Sequence, residues 1–190
     1  MKIIALIVCV LCSTAGCVTR QPDHFYVLAP QPAEAHESAA PIRRQVVLQL
    51  TLPSLVDRNE MVVATPNGVA VMEHERWAAP LADLMTTTLR QDVERRRAEV
   101  MVLPNGRDAG GAGVALIRIE LDIVQLWARR GVEVSIEAQW RVTDSGNHTS
   151  LGRDVFAAPL HSDSYAAVAA ALSSCVALLA DRLVQEIPAG

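Results

Sequence analysis

From Ile117 to Val142 apolar and polar side chains alternate almost without a break. Ile117, Ile119, Leu121 and Ile123 interleave with Arg118, Glu120 and Asp122. Val132, Val134, Ile136, Ala138, Trp140 and Val142 then interleave with Glu133, Ser135, Glu137, Gln139 and Arg141. A period of two sends every apolar side chain to one face of a strand, which commits the chain to a sheet that is dry on one side and wet on the other. The phase slips at Val124, after which Val124 and Leu126 hold the apolar positions, and a β-bulge accounts for that slip. Asp144-Ser145-Gly146-Asn147 then turns the chain into a partner strand from Leu151 to Ala158.

The rest of the chain supplies shorter strands and two helices to cover the dry face. Phe25 to Ala29, Val46 to Leu52 and Val100 to Leu103 read as strands, the last two stopped by Pro53 and Pro104. Met61 to Ala64 and Val69 to Met72 flank Thr65-Pro66-Asn67-Gly68, where Asn-Gly fits a hairpin turn. Trp77, Leu81, Leu84, Met85, Leu89 and Val93 recur at helical spacing, with Pro80 placed in the first turn. Tyr165, Val168, Ala169, Leu172, Val176, Leu179, Leu183 and Ile187 form a second stripe, for which Ser162 or Ser164 can serve as cap. Pro30 to Arg44 and Asn105 to Gly113 read as loops. These elements predict an α+β two-layer sandwich, a mainly antiparallel or mixed sheet with two amphipathic helices on one face.

The N-terminus carries a different signal. Lys2 precedes a continuous apolar run of ten residues, Ile3 to Cys12, too short for a membrane-spanning helix and suited to the core of an export signal. Ser13-Thr14-Ala15-Gly16-Cys17 resembles the lipobox of bacterial lipoproteins, with Thr14 where Leu is usual. That resemblance implies cleavage before Cys17, lipid on its thiol and an acylated new N-terminus. An ordinary secretory peptide and a short membrane anchor are the alternatives. Val18-Thr19 after the Cys, rather than Asp, resembles outer-membrane cargo facing the periplasm. Residues 1–16 are thus expected to be a lipoprotein signal peptide, 17–24 a tether and 25–190 a single domain. The seven tether residues Val18 to His24 span at most about 25 Å.

Composition excludes several functions. The net charge is −4, every basic side chain after Lys2 is Arg, and the Arg clusters are short, so nucleic acid is not an expected partner. Three of the four Cys lie in or beside the signal, which leaves Cys175 unable to form an internal disulfide. The five His share no metal-ligand spacing. Glu73-His74-Glu75 is the densest polar cluster, and it reads as a solvated strand-to-helix junction rather than a metal site. Cys175 has no neighbouring base to activate it and reads as a buried structural thiol. No catalytic site, metal or cofactor is expected.

Three segments are more specific: Leu52-Pro53-Ser54-Leu55-Val56-Asp57-Arg58, then Met61-Val62-Val63, then Glu75-Arg76-Trp77-Ala78-Ala79-Pro80-Leu81. With Cys17, the Phe25-Tyr26-Val27-Leu28 strand and the helix from Tyr165 to Ile187, they resemble the ABC-type transport auxiliary lipoprotein family, the PqiC-like group. Ala79 stands where that family usually has Glu, and Ala64 where it often has Arg. The resemblance implies a non-enzymatic envelope lipoprotein. It would work with an MCE-domain partner in intermembrane lipid transport and support membrane integrity, with homo-oligomerisation possible.

Partner contacts are expected at Leu55, Asp57 and Arg58 in the turn and at Arg76 and Trp77 at the helix start. For the turn the competing role is purely structural, with Pro53 ending a strand and Asp57 capping the Arg58-Asn59 corner. For Trp77 it is helix-to-sheet packing. The alternative function is a periplasmic carrier that holds lipid in its own cavity near Trp77 and Trp140.

Overall fold

The computed structural model describes residues 21–32, 41–103 and 114–188. In chain order the elements are β1 (His24–Tyr26), β2 (Arg44–Thr51), β3 (Glu60–Thr65), β4 (Gly68–Trp77), α1 (Leu81–Arg96), β5 (Val100–Leu103), β6 (Ala115–Arg129), β7 (Glu133–Thr143), β8 (Thr149–Pro159) and α2 (Tyr165–Glu186). Cys17, the signal sequence and the loop from Asn105 to Gly113 lie outside the described residues.

The main sheet has five strands in the order β5-β2-β6-β7-β8. β2 runs parallel to both β5 and β6, and β6, β7 and β8 are antiparallel. The alternation in the sequence becomes its two faces. Ile117, Ile119, Leu121, Ile123, Val134, Ile136, Ala138, Trp140 and Val142 are all buried. The register shifts between Ile123 and Gln125, so the bulge sits where the hydrophobic phase slips.

Both helices cover the dry face, with α1 against β2 and β5, α2 against β7 and β8, and the two helices against each other. The α+β sandwich expected from the sequence is therefore present, with more parallel pairing than the pattern alone specifies. α2 is long and apolar enough to cross a bilayer, but Leu172, Val176, Leu179 and Leu183 are buried on the sheet. Ser164 caps α2, its side chain accepting from Ala167 N.

A second sheet, β1-β4-β3, was not anticipated as a separate unit. β4 continues to Trp77, five residues beyond the expected strand end at Met72. Glu73-His74-Glu75 is therefore strand, not a junction before a helix, and α1 begins only at Leu81 with Pro80 as N-cap (φ −49°, ψ 135°). The residue before a proline disfavours helical geometry, which keeps Ala79 out of the helix. The segment after β1 then crosses both helices. Leu28 is buried, Ala29 N donates to Ser173 Oγ of α2 at 3.1 Å, and Gln31 N donates to Asp92 Oδ1 of α1 at 3.0 Å.

Candidate functional site

The Leu-Pro…Asp-Arg turn and the Arg-Trp…Pro-Leu segment, some twenty residues apart in sequence, fold into one clamp. Trp77 N donates to Asn59 O at 2.6 Å, which closes the turn onto the end of β4. Glu60 takes Arg58 Nε on one carboxylate oxygen at 3.1 Å and Arg76 Nη2 on the other at 3.0 Å. Burial works to raise the Glu60 carboxyl, but its backbone hydrogen bond and the two guanidiniums hold it below the usual range. Asp57 Oδ1 accepts from Ala82 N at 3.4 Å, so this carboxylate sits at the positive end of α1 rather than on its own corner.

The structure thus brings Asp57, Arg58 and Arg76 together. Leu55 is 48% exposed beside them, whereas Trp77 is only 4% exposed and lies in the core with Val56, Met61 and Leu81. The indole is a packing anchor, which removes its side chain from any contact surface.

Next to the clamp is an apolar groove of about 110 Å³, lined by Pro53, Leu55, Val63, Val69, Leu126 and Trp127 among others. Trp127 follows the bulge in β6 and is 37% exposed, as is Val69 at the start of β4. Sequence reading did not single out Trp127. The phase slip at Val124 was the available signal, since a bulge re-aims the side chains that follow it.

Charged side chains also pair across the main sheet. On the wet face Glu120 meets Arg141 at 3.1 Å, Asp122 meets Gln139 at 2.9 Å, and Glu137 meets Arg153 at 2.5 Å across neighbouring strands. An open trough of about 660 Å³ lies over these ladders, with Trp140 and Leu151 in its wall beside the charged side chains. Under the sheet, the space between Met61, Trp77, Leu81, Val168 and Leu172 amounts to about 10 Å³, less than a water needs.

Cys175 has no exposed surface, and burial pushes its thiol up to about 12, which suits a packing residue rather than a nucleophile. His74 pairs with Asp23 at 2.9 Å and His24 with Glu75 at 3.1 Å. Among the described residues no three His, Cys, Asp or Glu side chains are grouped so as to hold a metal.

Two solved structures share the fold. A crystal structure of an uncharacterized protein is 16% identical, with a TM-score of 0.69 over 88% of this chain and 100% of its own. A Xanthomonas campestris protein of the DUF330 family is 19% identical, with a TM-score of 0.63 over 85% of this chain and 92% of its own. No curated protein matches. The family described as ABC-type transport auxiliary lipoprotein component matches residues 26–184, a span that contains both halves of the clamp, the groove, α1 and all but the last two residues of α2. The chain belongs to the ABC-type transport auxiliary lipoprotein family.

Proposed function

We propose that the protein is an outer-membrane-anchored periplasmic accessory lipoprotein of an MCE-type intermembrane lipid transport system. Its task is to dock a partner and so support membrane integrity. The lipid attachment at Cys17, the single domain over residues 25–190 and the MCE-domain partner come from the sequence reading and its family resemblance.

The observation that carries the docking role is the pairing of the rigid clamp with the open apolar groove. Leu55, Val69 and Trp127 present apolar surface in a groove that takes Leu55 from the same turn that carries Arg58. Loops held by a rigid scaffold are where binding residues concentrate. The groove has room for one or two apolar side chains of a partner segment, with Gln125 as the polar side chain in its lining. A polar rim around an apolar centre is the usual anatomy of a protein interface.

The carrier reading has less support. Ligand pockets run to about 300–1,000 Å³ with mainly apolar walls. Here the two apolar spaces measure about 110 and 10 Å³, and the trough of about 660 Å³, which reaches Trp140 and Leu151 as well as the charged ladders, is open rather than enclosed.

Changing Leu55 and Arg58 together to Ala tests the docking role. Recovery of an MCE-domain partner in pull-downs should fall while the melting temperature stays the same. Unchanged recovery would refute the assignment of this surface. Stoichiometric lipid extracted from the purified protein would favour the carrier.

A further inference from the structure

The Phe25-Tyr26-Val27-Leu28 segment splits by face. Tyr26 and Leu28 turn inward, the Tyr26 hydroxyl donating to Glu75 Oε2 at 2.6 Å and Leu28 joining the core. Phe25 and Val27 turn outward and are 64% and 60% exposed, at the point where the chain enters the domain. Among the described residues β1 pairs only with β4, so Phe25 stands on the edge strand of the small sheet and Val27 just beyond its end.

Phe25 lies opposite Arg76 in the β1–β4 register, and Arg76 shares Glu60 with Arg58. The Arg76 guanidinium, held on Glu60 together with Arg58, thus lies beside the exposed aromatic ring. Of the other acids around it, Asp57 caps α1, and Asp23 and Glu75 each hydrogen-bond a His.

The connection to Cys17 supplies the occupant. Val18 to His24 reach at most about 25 Å, so lipid on Cys17 would keep Phe25 within that distance of a bilayer surface. Apolar side chains in such positions bury about 5–10 Å into the boundary between headgroups and acyl chains, and basic side chains stay at the phosphates. Two side chains would bind a membrane weakly from solution. A tether makes the contact intramolecular and raises its effective concentration.

We infer that Phe25 and Val27, flanked by Arg76 and Arg58, form a membrane-contact face that seats the domain on the bilayer holding its own anchor. This rests on the lipid attachment at Cys17. Seating β1 also fixes how β4, its hairpin and the groove stand above the membrane, because β4 runs from the β1 pairing at Glu75 back to Gly68.

Full-length lipidated protein in phosphatidylethanolamine–phosphatidylglycerol vesicles provides the test. A nitroxide is attached at Val27→Cys and, as reference, at Leu151→Cys, whose wild-type side chain is 70% exposed on the main sheet. Cys175 has no exposed surface and does not compete for label. The Val27 site should show an oxygen-to-nickel-chelate accessibility ratio several-fold above the Leu151 site. Adding Phe25→Ser should return it toward the reference.

Equal ratios on protein that floats with the vesicles would overturn the contact while leaving the anchor standing. Shielding of the Val27 site from both reagents would also overturn it, in favour of a protein neighbour. Failure to float would remove the anchor and this inference with it.

Discussion

Gln31 donates its backbone N–H to Oδ1 of Asp92 at 3.0 Å, so a carboxylate with no exposed surface holds the segment that leads out of β1. Arg96 Nη1 approaches the same oxygen at 3.2 Å, and Arg96 Nε pairs with Asp181 of α2. Burial pushes the Asp92 carboxyl above its ordinary range, against the opposing pull of Arg96 and the Gln31 amide. Asp92→Ala leaves the Gln31 amide without a partner and removes the carboxylate from Arg96, whose Nη1 keeps only the backbone oxygen of residue 92. The expected loss is about 2–3 kcal/mol, below the range for a wholly unpaired buried charge because Arg96 keeps Asp181. Thermal unfolding should fall by about 5–10 °C.

Tyr26 and Glu75 give the fold an acid-sensitive joint between β1 and β4. Burial works to raise the Glu75 carboxyl, and the Tyr26 hydroxyl and His24 outweigh it, holding the carboxyl below the usual range. A carboxyl held low contributes stability that is present above its ordinary pKa and lost as the pH falls through the lowered value. Tyr26→Phe should cost about 1.5 kcal/mol near pH 7. Denaturant titrations at falling pH should show the variant and the wild type converging below about pH 4.

Gly152 lies directly under the Trp140 indole, and a Cβ there would run into ring atoms Cε2 and Cζ2. The ring has little freedom to yield, since Trp140 is buried between Phe156 and Arg182. Gly152→Ala should destabilise by about 1–3 kcal/mol through overpacking. Measured stability within about 0.5 kcal/mol of wild type would show that the indole moves aside freely.

Leu55 and Trp77 separate docking from packing inside one clamp. Trp77→Ala removes a buried ring and should cost about 3–5 kcal/mol. Leu55→Ala acts on a side chain that is half exposed and should change stability by no more than about 0.5 kcal/mol. Equal destabilisation by both, measured by chemical denaturation, would make the turn structural.

The main sheet was legible because its strands are amphipathic: a period of two shows in Ile117 to Val142, and even the bulge shows as a slip in phase. Val100 to Leu103 and the helix behind Ser164 were legible for the same kind of reason, with a proline stop for one and a side-chain cap for the other. The far half of β4 was not. Glu73-His74-Glu75-Arg76 has no apolar alternation, because this stretch is held by β1 and by ion pairs to His24, Asp23 and Glu60 rather than by a dry face. Trp77 fitted the helical spacing by coincidence, and the Pro80 cap places the true helix start four residues later at Leu81. Parallel pairing of β2 with β5 and β6 leaves no local trace, since it depends on crossovers and not on neighbouring residues.

The candidate site was legible in its residues and not in its geometry. Leu55, Asp57, Arg58 and Arg76 do come together, but the cause is long-range: Glu60 joins the two Arg side chains, and Asp57 reaches Ala82 at the start of α1. Trp127 enters the groove from β6, more than sixty positions away in sequence, where no motif announces it.

A photo-crosslinking amino acid at Leu55, compared with one at Leu178 on the exposed side of α2, tests the docking account most directly in intact cells. The account predicts an adduct with an MCE-domain protein from position 55 and none from position 178. Adducts only with lipid from position 55, or equal adducts from both positions, would contradict it.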